Sequence, residues 1–198
     1  SGHSVKDFAR LAEKLNPYSE IEALEVNVSC PNIAGGGMAF GTDSDLVYEI
    51  TKIVREKFSG TVITKLSPNV TDIVEMAVAA EKGGADVISL INTLLGMSID
   101  ADTKTPVLGN VFGGLSGPAI KPVALRMVYQ TYQEVETPII GIGGIMNGED
   151  AVEFMLAGAR AVAVGTANLI EPADSSNILE EIKNYLKKNK INDIKSII

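Results

Sequence analysis

Cysteine is nearly absent from this chain. One thiol, Cys30, stands among 198 residues, so neither an internal disulfide nor a multi-cysteine metal site can form. Histidine is as scarce: His3, near the chain start, is alone, which leaves no Ser-His-Asp arrangement and no metal-ligand spacing. Tryptophan is missing and aromatic residues reach only 5%, so the strands offer no platform for stacking bases. Seventeen basic residues face 25 acidic ones, a net charge of -8 with no basic stripe to neutralise phosphates, which argues against a nucleic-acid partner. No uninterrupted apolar run reaches the length of a membrane-spanning helix. An initiator methionine is also missing from Ser1-Gly2-His3, and the expectation is that part of the protein precedes it. A lone cysteine fits a reducing compartment, so a cytoplasmic location is expected. What the chain does have is 45% apolar residues, 21% charged residues and 19 glycines, the profile of one folded domain over residues 1–198, or a piece of one.

Five β-rich runs, 23–28, 62–66, 87–91, 138–142 and 161–164, alternate with stretches of helical period. Leu46, Val47, Ile50, Ile53, Val54 and Phe58 recur at three- and four-residue steps behind a cap at Asp43 or Ser44. Thr71 is the expected cap of a helix burying Val74, Ala77 and Val78 and ending at Gly83-Gly84. Asn147 caps one carrying Val152, Met155 and Leu156 and ending at Gly158. An opening helix shows Val5, Phe8, Leu11 and Leu15 behind Ser4; a closing one shows Ile178, Leu179, Ile182, Tyr185 and Leu186 behind Ser175 or Ser176. Strict alternation predicts parallel strands joined by crossover helices. The long region 94–117, rich in Gly, Pro, Asp and Thr, reads as a loop over the mouth of a site.

Glycines decide between an open sheet and a barrel. Gly141-Ile142-Gly143-Gly144-Ile145 ends the fourth run and Gly165-Thr166 the fifth. Either motif alone is a tight turn. Together, on consecutive units, they read as a phosphate site of backbone N–H groups with a helix N-terminus behind. In a TIM (β/α)8 barrel that site follows strands seven and eight, so this chain supplies strands four to eight of an incomplete barrel.

The densest candidate site is Asn27-Val28-Ser29-Cys30-Pro31-Asn32, followed by the glycine-rich Gly35-Gly36-Gly37-Met38. Alternation sends Val26 and Val28 towards helices and Asn27 and Ser29 into the barrel mouth, where amide and hydroxyl groups suit a planar, amide-rich ligand. The glycine-rich stretch suits an active-site flap. Cys30 reads equally as a small buried hydrophobe or as a reactive thiol at a strand end. Lys65 either stabilises negative charge on a cofactor ring or reaches out to solvent. Asn92 and Thr93 are turn residues or further polar groups on the same rim. Gly117, before a helix, is placed to approach a cofactor closely.

These segments resemble the catalytic subunits of class 1B dihydroorotate dehydrogenases. The resemblance rests on Asn27 to Asn32 with Gly35-Gly36-Gly37-Met38-Ala39-Phe40-Gly41-Thr42-Asp43. Thr64-Lys65-Leu66-Ser67-Pro68-Asn69, Ile91-Asn92-Thr93, Gly113-Gly114-Leu115-Ser116-Gly117, the Gly141–Ile145 run and Val164-Gly165-Thr166 then follow in the family's order. The resemblance implies an FMN-binding barrel that oxidises dihydroorotate to orotate in pyrimidine synthesis. It implies that Cys30 is the general base, that Asn27, Asn32, Asn92 and Thr93 hold substrate, and that Asn27, Lys65, Ile91, Gly117, Gly143, Gly144, Gly165 and Thr166 hold FMN, with no metal. A homodimer and a partner iron–sulfur flavoprotein carrying FAD, which passes electrons to NAD, are implied as well. The triple glycine separates this class from the fumarate-using soluble class. The family's barrel begins roughly a hundred residues before Ser1, about three (β/α) units, so a fragment with open sheet edges is expected. Two alternatives stand beside this: a dihydropyrimidine dehydrogenase-like FMN domain, against which Asn32 speaks, and a non-catalytic phosphate-binding barrel fragment.

Overall fold

In the computed structural model, which describes residues 1–29 and 40–198, helices and strands alternate along the chain. The order is α1 (Val5–Leu15), β1 (Ala23–Asn27), α2 (Ser44–Lys57), β2 (Thr61–Lys65), α3 (Ile73–Lys82), β3 (Val87–Leu90), β4 (Leu94–Met97), β5 (Ile99–Asp100), β6 (Thr105–Pro106), β7 (Phe112–Leu115), α4 (Lys121–Tyr132), β8 (Ile139–Ile142), α5 (Gly148–Leu156), β9 (Ala161–Ala163), α6 (Thr166–Ile170) and α7 (Asp174–Lys188). Strands β1, β2, β3, β8 and β9 form one parallel sheet in that spatial order. Among the described residues β1 and β9 are its open edges, as expected of a barrel segment.

Local chemistry sets most helix starts. Ser4, Asp43 and Asn147 accept backbone N–H groups of the first turns of α1, α2 and α5, satisfying donors that have no partner inside the helix. Two expected caps are corrected. α3 is capped by Asp72, not Thr71: the Asp72 carboxylate accepts from Val74 N at 2.9 Å, where its charge also complements the helix dipole. α7 starts at Asp174 with no side-chain cap. Ser175 instead exchanges hydrogen bonds with Asn168 in α6, a five-residue helix too short to announce itself by periodicity. α3 and α5 close alike around Gly84 and Gly158: Ala85 N donates to Ala80 O and Ala159 N to Phe154 O, with Gly84 N and Gly158 N bonded to Glu81 O and Met155 O.

The core lies between the sheet's outer face and its helices. Val26, Val28, Val62, Leu66, Ile88, Leu90 and Ile139 meet helix residues such as Val47, Ile50, Val54, Ala77, Ala80, Val128 and Phe154, all buried. Thr51 and Thr64, also buried, satisfy each other at 3.1 Å. Three leucines expected in the core are largely exposed instead: Leu11 (42%), Leu156 (57%) and Leu179 (50%). Phe8 and Ala12, Val152 and Met155, and Ile178 and Ile182 are buried at three- or four-residue steps, and each leucine sits one residue, about 100°, to the side of that line, at the edge of the apolar face.

The region 94–117 is not an irregular loop. β4 pairs antiparallel with β7, from Leu94↔Leu115 to Met97↔Phe112, and β5 with β6, so two short ribbons rise from the C-terminal end of β3. Their apolar residues, Leu95, Met97, Ile99 and Phe112 among them, are exposed. Without a buried face no alternation marked them as strands. Among the described residues, no helix is long and apolar enough to cross a membrane.

Candidate active site

Parallel register carries the inner-face residues across the sheet. Asn27 pairs with Lys65, Lys65 with Ser89, Ser89 with Ile140 and Ile140 with Ala161, so side chains distant in sequence form one row. The rims beyond this row, at the C-terminal ends of the strands, carry the polar groups. Asn92 Nδ2 donates to Asn27 Oδ1 at 3.2 Å, joining the ends of β1 and β3. Asn27 Oδ1 also accepts from Ser29 N at 3.0 Å, and Ser29 Oγ donates to Lys65 O at 3.3 Å. Asn92 Oδ1 in turn accepts from Thr93 N at 2.7 Å, which fixes how the amide is turned.

A cleft of about 140 Å³ opens at this rim. Lys65, Ile91, Asn92, Thr93, Gly117, Gly143, Gly144, Gly165 and Thr166 all line it, joined by Ser116, Ile120, Ile142 and Ile145. Asn27 reaches the cleft through its bond to Asn92. Cys30, Asn32 and the Gly35-Gly36-Gly37-Met38 segment lie outside the described residues. A larger hollow of about 430 Å³ sits near the N-terminal ends of β8 and β9, between residues such as Glu134, Thr137 and Arg160, and holds none of the predicted site residues. Barrel active sites form at the opposite, C-terminal face.

Two glycines shape the cleft in different ways. Gly144 has φ of +78°, and a Cβ there would stand 2.8 Å from Lys121 N and 2.9 Å from Gly117 O, so the loops after β8 and β7 touch backbone to backbone. At Gly165 a Cβ would meet no heavy atom within 4 Å, so its backbone faces open space where a ligand can come close. Thr166 Oγ1 donates to Ser116 Oγ at 2.9 Å, tying the start of α6 to the loop before Gly117.

Several participants escaped the sequence reading. Glu25 lies one inner-face step before Asn27; its carboxylate accepts from Ser89 Oγ at 2.7 Å and stands 3.8 Å from Lys65 Nζ. The period of two that singled out Asn27 and Ser29 was its signal. Asn69 bridges the end of β2 to the first ribbon, donating to Thr93 O at 3.0 Å and accepting from Leu95 N at 2.8 Å. Its partners are far along the chain, so no local pattern marks this role. Among the described residues no group of His, Cys, Asp or Glu is placed to hold a metal ion.

Comparison with known proteins agrees with this architecture. The family model described as dihydroorotate dehydrogenase matches residues 1–186. A curated relative named dihydroorotate dehydrogenase B (NAD(+)), catalytic subunit, from Geobacter metallireducens, is 56% identical over 197 residues. Its namesake from Bacteroides thetaiotaomicron is 54% identical over 198 residues. In both cases the match covers 100% of this chain but 65% of the relative, so the chain spans about two thirds of their length. The solved structure of DHODH in complex with ferulenol from Eimeria tenella aligns with a TM-score of 0.80 at 21% identity, over 100% of this chain and 58% of that one, a likeness of fold. With its five parallel strands and the match along residues 1–186, the chain belongs to the dihydroorotate dehydrogenase family.

Proposed function

We propose that the chain forms the larger part of an FMN-binding (β/α)8 barrel that oxidises dihydroorotate to orotate. The observation that carries this reading is a cleft at the C-terminal strand ends on which the predicted residues converge. A lysine from β2, amides from the rims of β1 and β3, and glycine backbone after β7, β8 and β9 converge there. That lining fits a phosphorylated flavin: the glycine loops admit close backbone approach to a phosphate, and Lys65 supplies a cation for charge on the ring system. FMN, when bound, would supply the acceptor for the hydride that leaves the substrate.

The chain's own residues then divide the work. Asn27, Asn92 and Thr93, with Asn32, offer donors and acceptors to the amide and carboxylate edges of dihydroorotate and hold its ring flat against the site. Lys65, Ile91, Gly117, Gly143, Gly144, Gly165 and Thr166 hold FMN. Cys30 removes a proton from one ring carbon as hydride leaves the neighbouring carbon, so the substrate loses two electrons and two hydrogens and gains a double bond. A thiol of ordinary pKa, about 8.5, is only slightly ionised at neutral pH, so a cysteine base needs either modest help from its surroundings or an alkaline optimum. The names of the relatives, an NAD(+) enzyme and a catalytic subunit, support electron exit through a partner subunit; for that partner the proposal takes an iron–sulfur flavoprotein carrying FAD. A homodimer of the catalytic chain in the cytoplasm completes the proposal.

The test is spectroscopic. Protein purified with, or reconstituted by, FMN is expected to show a flavin band that bleaches when dihydroorotate is added without oxygen. Cys30→Ser is expected to keep the band and slow the bleaching by about 100-fold or more. Protein that stays colourless after reconstitution, or a flavin band indifferent to dihydroorotate, overturns the reading.

A further inference from the structure

Behind the glycine side of the cleft lies a polar cluster that the proposed function does not use. Lys121 opens α4, a few residues after Gly117, and is absent from the cleft lining. Its Nζ stands 2.6 Å from Asp150 Oδ1 and 2.9 Å from Glu153 Oε2, both in α5. The other oxygen of Asp150 accepts from Met146 N at 2.9 Å, in the stretch that leads from Gly143-Gly144 into α5. Asp150 is 8% exposed, and its own N–H donates to the cap, Asn147 Oδ1. The lysine backbone packs just where a side chain on Gly144 would have to go.

This cluster therefore spans two segments that each deliver glycine to the cleft. One runs from Gly117 into α4, the other from Gly143-Gly144 into α5. The hydrogen bonds that the Lys121 ammonium donates to Asp150 and then to Glu153 hold it above its ordinary pKa, so it is charged throughout the neutral range. Bonds between charged partners with one member buried are stronger and less screened than a surface pair.

We propose that Lys121 and Asp150 act as a clamp that fixes the spacing of the Gly117 and Gly143-Gly144 loops and thereby sets the affinity of the cleft for the phosphate end of its ligand. This rests on the reading of the cleft as an FMN site. Both are positioning residues. Their effect reaches the ligand through glycine backbone, and without Lys121 the Asp150 and Glu153 carboxylates stand uncompensated beside an anion site.

The experiment compares two flavins that differ by the phosphate alone. FMN and riboflavin are titrated into the full chain, its Lys121→Met and Lys121→Arg variants, and Asp150→Asn, followed by quenching of flavin fluorescence, with a thermal melt of each. Lys121→Met is expected to weaken FMN about tenfold while riboflavin moves within about twofold. Lys121→Arg restores most of the FMN affinity, and Asp150→Asn, which preserves shape, reproduces the loss should Lys121→Met fail to fold. Unchanged FMN affinity in the folded variants overturns the clamp and leaves the FMN reading intact. Equal losses for both flavins overturn it too, because they mark general damage to the fold. An unsubstituted chain that binds neither flavin overturns the FMN reading and the clamp with it.

Discussion

Gly144→Ala and Gly165→Ala separate the two demands that the cleft makes on glycine. At Gly144 the backbone is left-handed, with φ of +78°, which costs a side-chain-bearing residue roughly 1–2 kcal/mol. The new Cβ also lands 2.8 Å from Lys121 N and 2.9 Å from Gly117 O. These are backbone atoms that cannot rotate aside, so overpacking adds roughly 1–3 kcal/mol. A total near 3 kcal/mol corresponds to a Tm lower by about 6–12 °C in a protein of this size. Gly165 is the opposite case: its φ is −108° and the added Cβ meets nothing, so the fold is expected to change by no more than about 1 kcal/mol. The methyl nevertheless protrudes into the open space that the proposed FMN site assigns to the phosphate. Losing hydrogen bonds to a charged ligand there is expected to weaken FMN by about 10- to 100-fold. Differential scanning calorimetry and fluorescence titration read the two effects. A Gly144→Ala protein that melts within about 1 °C of the parent refutes the packing argument. A Gly165→Ala protein with full FMN affinity refutes the phosphate position.

Lys65→Met is expected to leave the fold intact and slow single-turnover reduction of bound flavin by about 100- to 1,000-fold, the scale of removing one charge stabiliser; an unchanged rate removes Lys65 from that role. Phe154→Ala deletes a fully buried ring packed against Gly141 and is expected to destabilise by about 3–5 kcal/mol in urea unfolding. Glu81 gives an acid-side prediction. Burial alone would push its carboxyl up, but the Thr137 hydroxyl and the N–H groups of Thr137 and Glu136 outweigh this and hold it below the ordinary value. Its folded pKa being depressed, its stabilisation is present above the unfolded carboxylate pKa and lost as pH falls through the folded one. Glu81→Gln should therefore lower Tm at neutral pH and flatten its fall on acidification; parallel Tm–pH curves for the two proteins would contradict this.

What the chain declares locally it declares well. Strand–helix alternation, the inner face of β1, and the caps at Ser4, Asp43 and Asn147 follow from periodicity and from side chains that bond to neighbours two or three residues away. Each strand run agrees with the structure to within a residue at either end. The glycine pairs at strand ends were legible because they depart from the composition around them. Harder to see were the ribbons β4 to β7, whose apolar residues face outward, and the choice of which leucine on a helix meets the core.

The sequence by itself determined an α/β succession and a set of polar and glycine residues at strand ends, because both depend on spacing along the chain. A family resemblance, not spacing, led to the expectation that Lys65, Asn92, Gly117, Gly144 and Thr166 share one site; only the tertiary structure decided how they line one cleft, that Glu25 answers Ser89 and Lys65, and that Lys121 bonds to Asp150 behind it. Those are contacts between residues separated by some 25 to 100 positions, fixed by strand register and helix packing; each partner has an ordinary neighbourhood in sequence, so nothing local identifies the pair.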